Sequence, residues 1–132
     1  MKVILACIAD HAVVDSSSKL SAIGIFDAIH AAAVPATHPK MFFIFRLMLE
    51  HDDAGTQSDM LMRLVDEDGG VAMEVRGHVD APADIPTGSF AAQNGVFELV
   101  NVVFPRAGRY VFEITAGKNP PVQTPFDVRI PK

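Results

Sequence analysis

The pattern of hydrophobic and polar positions in the last third of the chain predicts β-strands. Three apolar runs, residues 96–104, 109–116 and 122–130, are separated by short segments rich in Pro and Gly. Turn residues at intervals of roughly ten positions are typical of antiparallel strands joined by tight turns. The sequence therefore predicts a C-terminal β-meander.

The middle of the chain shows the same strand periodicity. Residues 41–50 are rich in Phe and Leu, which favours a strand over a helix. A second run, residues 60–65, leads into the turn segment 66–70, whose Asp-Gly pair is a strong hairpin signal. In residues 71–80 the alternation predicts Val71, Met73, Val75 and Val79 in the core. The polar residues between them are expected to face water.

Two long apolar runs near the N-terminus, residues 3–14 and 20–31, flank the polar segment 15–19. They predict a β-hairpin, and because both are apolar on both faces, they predict central or doubly covered strands. A helix is the competing prediction for residues 28–36, but Pro35 and Pro39 would end it.

These elements predict one domain, residues 1–132, built as a two-sheet antiparallel β-sandwich of about eight strands, immunoglobulin-like in general architecture. The segment 81–95 is expected to cross between the sheets. Pro125 cannot donate to a strand neighbour, so the last strand is expected at an edge. Pro105 and Gly108 predict a turn with positive φ at Gly108, followed by an inward-facing Tyr110 whose hydroxyl bonds to the backbone.

Composition narrows the classes of partner. The 132 residues are 49% hydrophobic and carry a net charge of -5, without a basic stripe that would follow a nucleic-acid backbone. No run approaches the ~20 apolar residues of a membrane span, so a cytoplasmic protein is expected. Cys7 is the one cysteine and is expected to be a small buried hydrophobe in the first strand. Only four apolar residues precede it, fewer than a secretory signal requires.

Five short motifs occur in order along the chain: Ala-Cys-Ile-Ala-Asp at 6–10, Gly-Ile-Phe-Asp at 24–27, His-Pro at 38–39, Asp-Glu-Asp-Gly at 66–69, and Val-Phe-Pro-Arg-Ala-Gly-Arg-Tyr at 103–110. In this order they resemble a small bacterial family of single-domain proteins of unknown function. The resemblance covers nearly the whole chain. It implies an all-β sandwich and no assigned activity, so no functional residue is carried over.

Few residues suggest chemistry. Asp10, Asp27 and His38 are the candidates for an unassigned site, since they lie in the shared motifs. With the first turn centred near residues 16 and 17, Asp27 would lie opposite Ala6, roughly 10 to 13 Å from Asp10, too far for a proton-sharing pair. Structural roles for both carboxylates are the simpler expectation.

Other combinations do not match known sites. The five histidines lack the short spacings of zinc ligands, and the acidic turn at 66–68 lacks the remaining ligands of a calcium loop. A nucleophile elbow and a glycine-rich phosphate loop are also absent. We therefore expect no catalytic residue, no metal and no cofactor.

The sequence favours a non-catalytic binding or assembly module whose partner is an unknown protein or small molecule, with no nucleic acid and no membrane involved. Two alternatives stay open. One is a small enzyme with a polar site assembled from separate loops. The other is a structural subunit that forms a homo-oligomer by pairing through an edge strand, in particular the last one.

Overall fold

The computed structural model describes all 132 residues and consists almost entirely of strands. The nine strands are β1 (Lys2–Val14), β2 (Leu20–Ile25), β3 (Ala28–His30), β4 (Ala36–Glu50), β5 (Gln57–Asp66), β6 (Val71–Asp80), β7 (Phe90–Phe104), β8 (Gly108–Ala116) and β9 (Val122–Arg129). The only helical element is a three-residue 3-10 turn, His51–Asp53. The predicted all-β class is confirmed, with nine strands in place of about eight. No helix is long and apolar enough to span a membrane.

The strands form two open sheets that pack against each other. The four-stranded sheet has the order β2-β1-β4-β7, and the five-stranded sheet has the order β3-β9-β8-β5-β6. Phe43 of the first sheet stacks on Phe112 of the second with ring centroids 5.0 Å apart, and Phe104 meets Phe126 edge-on at 5.8 Å. One core cluster of 20 buried residues joins the two sheets. The predicted two-sheet arrangement is therefore confirmed.

The predicted periodicity of β6 is largely confirmed. Val79 is buried, and Met73 and Val75 pack against the core cluster, while the polar residues between them are exposed. Val71 differs, because it lies at the start of the strand and its exposed fraction is 45%. Alternation thus identifies the inward face of this strand except where the hairpin turn begins.

The predicted C-terminal meander is wrong for β7, whereas the antiparallel pairing of its last two strands, β8 and β9, is confirmed. β7 pairs with β4 in the four-stranded sheet, whereas β8 pairs with β9 and β5 in the five-stranded sheet. Phe104 and Tyr110 both enter the core, from opposite sheets, with ring centroids 5.0 Å apart. The segment between them is therefore an arch that joins two sheets. Turn residues between two apolar runs indicate that the chain reverses direction. They do not indicate whether the strand after the turn pairs with the strand before it.

The predicted conformation of this arch is confirmed. Gly108 has φ +131, a value that side chains disfavour, and begins β8. Tyr110 is buried, and its hydroxyl donates a 2.8 Å hydrogen bond to the carbonyl oxygen of Arg106. The phenol thus satisfies a backbone acceptor of the arch while its ring packs in the core.

The second predicted strand, residues 20–31, is broken into two strands that belong to different sheets. The Phe26 N–H donates to the Ile8 carbonyl, and the Asp127 N–H donates to the Asp27 carbonyl, so the chain crosses between sheets at these two residues. β3 then pairs with β9 in parallel, and the fully antiparallel arrangement expected from the sequence is wrong at this position.

β9 is only partly an edge strand. β3 pairs with its last three residues, Asp127–Arg129, and leaves the first part of β9 without a neighbour on that side. Pro125 lies in this open part, which agrees with the reason for placing it at an edge. On the other side, the ladder with β8 runs from Val122 to Val128.

The loop after β6 crosses from the five-stranded to the four-stranded sheet, as predicted. It is shorter than expected, because β7 begins at Phe90 rather than after Gly95. Gly95 pairs with Phe45, and a methyl group at Gly95 would overlap the Phe45 ring. This glycine therefore makes room for a core aromatic ring within a strand.

Candidate functional site

The outer face of the four-stranded sheet, which faces away from the core, is apolar at its centre. Phe42 and Ile44 of β4 have exposed fractions of only 5% and 1%, although their neighbours Met41, Phe43 and Phe45 already belong to the core cluster. With Ala12, they form a second buried cluster. Both faces of β4 are therefore covered, and the cover on the outer face has to come from another part of the chain.

The β1–β2 hairpin provides this cover. β1 pairs with β4 only as far as Ala9, and beyond that it pairs only with β2. The side-chain amide of Asn94 on β7 donates a 2.9 Å hydrogen bond to the carbonyl oxygen of Ser18, at the hairpin tip. Because β4 separates β1 from β7, the tip reaches Asn94 only by passing over β4. The outer half of the hairpin is thus folded back across the sheet.

The hairpin bends where Asp10 faces Gly24. The ladder runs from Ala9–Ile25 to His11–Ile23, and no pair is formed between them. Gly24 has φ +71, and a methyl group there would lie 2.6 Å from Oδ2 of Asp10. A left-handed conformation and a close carboxylate both require glycine at this position. The register also differs by one residue from the predicted one, which placed Asp27 opposite Ala6.

Between the folded hairpin and the sheet lies a cavity of about 590 Å³, which we call the hairpin groove. Its lining residues are Leu5, Cys7, Ser17, Ser18, Lys19, Leu20, Ala22, Ile25, Ile44 and Arg46. Six of the ten are hydrophobic. A volume of this size and a mainly apolar lining with a few polar groups are usual for small-molecule sites.

The polar end of the hairpin groove is built by a short hydrogen-bond chain. Nη1 of Arg46 donates to Oδ1 of Asn94 at 2.7 Å, and Asn94 in turn donates to the Ser18 carbonyl. At the tip, Oδ1 of Asp15 accepts the backbone N–H groups of Ser17 at 2.8 Å and Lys19 at 3.0 Å. These bonds hold the hairpin tip over the sheet. The side chains of Arg46 and Lys19 line the cavity there.

Cys7 lines the hairpin groove and is half-buried, not fully buried as the sequence predicted. Cys7 pairs with Ile44, so its side chain lies on the outer face of the sheet. Burial raises the pKa of its thiol. The thiol therefore stays protonated at neutral pH and is a weak nucleophile.

The structure keeps the three site candidates from the sequence apart. Asp10 lies at the hairpin bend, whereas Asp27 and His38 each line a cavity of their own. The cavity beside Asp27, about 230 Å³, is also lined by Arg109, Asp127 and Arg129. None of the main cavities is lined by two of the candidates.

The charged groups near Asp27 neutralise one another. Asp127 accepts hydrogen bonds from Arg109 at 2.8 Å and from Arg129 at 3.3 Å. The hydrogen bond from Arg109, followed by that from Arg129, lowers the pKa of Asp127, and the same bond with Asp127 raises the pKa of Arg109. Asp27 itself contributes its backbone carbonyl to the Asp127 N–H. This cluster ties the start of β3 to β8 and β9.

His38 lies in a mainly apolar cavity of about 310 Å³, beside His30 and a run of small residues. Its ring is tilted against that of Phe26, with centroids 6.0 Å apart. Nε2 of His38 is buried and has no hydrogen-bond partner. Nowhere in the structure do three or more His, Cys, Asp or Glu side chains come together in a way that would hold a metal ion.

Sequence reasoning did not identify Lys19, Arg46 or Asn94 as site residues. One signal for them was present: residues 41–45 are apolar without interruption. In an antiparallel sheet such a run means that both faces are covered. Arg46 is the polar residue that directly follows this run, so it is expected where the covered part of the outer sheet face ends.

The chain belongs to a family of unknown function (DUF6941), whose model matches residues 4–129. This agrees with the resemblance to a small family without an assigned activity. No curated protein matches the chain, and no solved structure does.

Proposed function

We propose that this member of the DUF6941 family is a non-catalytic binding module that holds a small molecule in the hairpin groove. The observation that carries the proposal is the fold of the β1–β2 hairpin across the outer face of the four-stranded sheet. It forms a concave, largely apolar cavity of about 590 Å³ on a face that a sandwich usually exposes to water.

The lining supports binding without chemistry. Cys7 is the only cysteine of the chain, and burial raises the pKa of its thiol. A protonated thiol is a poor nucleophile, so Cys7 is better suited to packing against a ligand than to attacking it. The lining contains no His, Asp or Glu that would act as a general acid or base. The alternative of a small enzyme would need Asp10, Asp27 or His38 in one cavity, and these three lie apart.

Alkylation of Cys7 tests this proposal, because the only cysteine of the chain reports on the hairpin groove. We expect 1-octanol or octanoate to slow the reaction of Cys7 with iodoacetamide in a saturable manner. In the matched control, Cys7→Ser/Ala83→Cys, the thiol lies in the exposed loop after β6, outside the groove. Its alkylation rate should not change. Equal slowing in both proteins, or no slowing in either, would contradict binding in the groove.

Assembly through an edge strand is the second candidate, and β7 supports it better than β9. β7 has 15 residues, no Pro and one charge, Glu98, and no strand pairs with its outer edge. Val100 and Val103 are exposed there. Long edges with few charges and no proline favour pairing with a second copy.

The native mass in solution tests this second candidate. A dimer that becomes a monomer in Val100→Lys/Val103→Lys, and remains a dimer in the control Ile130→Lys, would favour pairing through β7. A native monomer at high concentration would exclude it.

We further propose that residues 1–132 form one domain with the general architecture of immunoglobulin-like sandwiches, in a cytoplasmic bacterial protein. The two packed sheets and the buried Tyr110 bonded to the backbone of its own arch support the architecture. One unpaired cysteine is compatible with a reducing compartment.

A further inference from the structure

The charges that line the hairpin groove have one sign. Of its ten lining residues, Lys19 and Arg46 are charged, and none is acidic. The chain as a whole is acidic, with 16 Asp and Glu against 11 Lys and Arg. A cavity with two positive groups and no negative one therefore stands out from the average surface of this protein.

Arg46 is the only arginine without a carboxylate partner. Each of the other five lies within 4.0 Å of an Asp or Glu oxygen: Arg63, Arg76, Arg106, Arg109 and Arg129. Arg46 is half-buried, and its one hydrogen bond goes to the neutral amide of Asn94. A guanidinium has five N–H donors, and partly buried charges are usually paired. The Arg46 side chain therefore has both unused donors and an unbalanced charge.

Lys19 has no ion pair either. The acid nearest to it in sequence is Asp15, but one oxygen of that carboxylate already accepts two backbone N–H groups of the tip. No carboxylate lies within 4.0 Å of the Lys19 ammonium group. Lys19 and Arg46 thus provide two unpaired positive charges beside an apolar lining that includes Leu5 and Ile25.

We propose that the natural ligand of the hairpin groove is a small amphipathic carboxylate, with an apolar chain against the apolar lining and its carboxylate bound by Arg46 and Lys19. This rests on the proposed function and adds the ligand class to it. Arg46 suits this role because its planar guanidinium binds carboxylates through two parallel hydrogen bonds. Lys19 adds a second charge from the mouth of the cavity.

Three probes with the same alkyl chain separate the ligand class from binding as such: octanoate, 1-octanol and octylammonium. Their affinities for the full chain are measured by nuclear magnetic resonance titration. We expect octanoate to bind about tenfold more tightly than 1-octanol, because a hydrogen bond between charged groups is stronger than a neutral one by a margin of roughly that size. Octylammonium should bind most weakly. Added NaCl should weaken octanoate binding and leave 1-octanol binding unchanged.

Two variants assign the effect to the two cations. Arg46→Gln keeps an amide donor for Asn94, and Lys19→Gln changes an exposed side chain, so both should fold. Each should lower the affinity for octanoate toward that for 1-octanol. Lys118→Gln is the matched control, since Lys118 is exposed, unpaired and outside the groove. It should change neither affinity.

The outcomes distinguish two failures. If 1-octanol binds the hairpin groove as tightly as octanoate, or if neither glutamine variant weakens octanoate, the ligand class is wrong while the groove remains a binding site. If no probe binds at all, the proposed function fails and the ligand class fails with it.

Discussion

Two regions of this molecule, the arch and the hairpin groove, differ in whether their positive side chains form ion pairs. In the arch between β7 and β8, Arg106 bonds to Asp66 at 3.2 Å and Asp68 at 3.0 Å. At the hairpin groove, Arg46 and Lys19 have no carboxylate partner. The ion pairs of Arg106 link the arch to the end of β5 in the five-stranded sheet, whereas the two cations of the groove have no ion pair. We infer that the arch serves stability and the groove serves binding, and substitutions should separate the two.

The largest effect is expected from Gly108→Val in the arch. Gly108 has φ +131, which a β-branched residue adopts only under strain, so the free energy of unfolding should fall by about 1–3 kcal/mol. Denaturant unfolding measures the loss. Gly77→Val in β6 is the control: Gly77 has ordinary backbone geometry and open space around it, so valine, which favours strands, should leave the stability unchanged or raise it by up to about 1 kcal/mol. Equal losses in both variants would show that the conformation of the arch is not the cause.

A smaller loss is expected from Tyr110→Phe. This change keeps the ring contacts with Phe104 and Phe126 and removes only the hydrogen bond to the Arg106 carbonyl. The cost should be about 0.5–1.5 kcal/mol, measured by the same unfolding experiment. A variant as stable as the native protein would mean that this bond does not stabilise the arch.

Acidic pH should weaken the ionic contacts of Asp66 beside the arch and of Asp127 in β9. Hydrogen bonds from the Gly70 and Asp68 backbone and from Arg106 lower the pKa of Asp66, and Arg109 with Arg129 lowers that of Asp127. With the pKa lower in the folded than in the unfolded state, the folded protein binds fewer protons. This contribution to stability is complete above about pH 4 and is lost as the pH falls below it.

Unfolding measured from pH 6 to pH 2 tests this prediction. Asp66→Asn should flatten the dependence of stability on pH below about pH 4. Asp84→Asn serves as the control, because Asp84 is exposed and makes no hydrogen bond or ion pair, and it should leave the dependence as it is. Identical pH profiles for all three proteins would contradict a role of Asp66 in the acid range.

The smallest effect on stability is expected from Arg46→Gln. Its charge has no partner to lose, and glutamine retains a donor for Asn94, so the free energy of unfolding should stay within about 0.5 kcal/mol of the native value. Calorimetric melting provides the comparison. A loss as large as that of Gly108→Val would mean that Arg46 holds the fold, and the contrast between the two regions would disappear.

The sequence predicts the strands and the arch well because their signals are local. Alternation over residues 71–80 and the turn chemistry of Pro105 and Gly108 depend only on near neighbours. The partners of β3 and β7 depend on which sheet each strand joins, and turn residues do not carry that information. The parallel pairing of β3 and the separation of β7 from β8 were therefore missed.

The candidate site was missed for a similar reason. Asp10 stood out in the sequence as a carboxylate within an apolar strand, yet the structure gives it a place beside Gly24 at the bend. Arg46, Asn94 and Ser18 are far apart in sequence and meet only because the hairpin folds back. The uninterrupted apolar run at residues 41–45 indicated that the sheet is covered, but not by which segment.

The most direct test of the account is the location of bound octanoate, measured by nuclear Overhauser effects between its methylene protons and protein methyl groups. We predict contacts with the methyl groups of Leu5 and Ile25 in the hairpin groove, and weaker contacts in Arg46→Gln at the same octanoate concentration. Contacts confined to the exposed Val100 and Val103 of β7, or contacts that persist unchanged in Arg46→Gln, would contradict it.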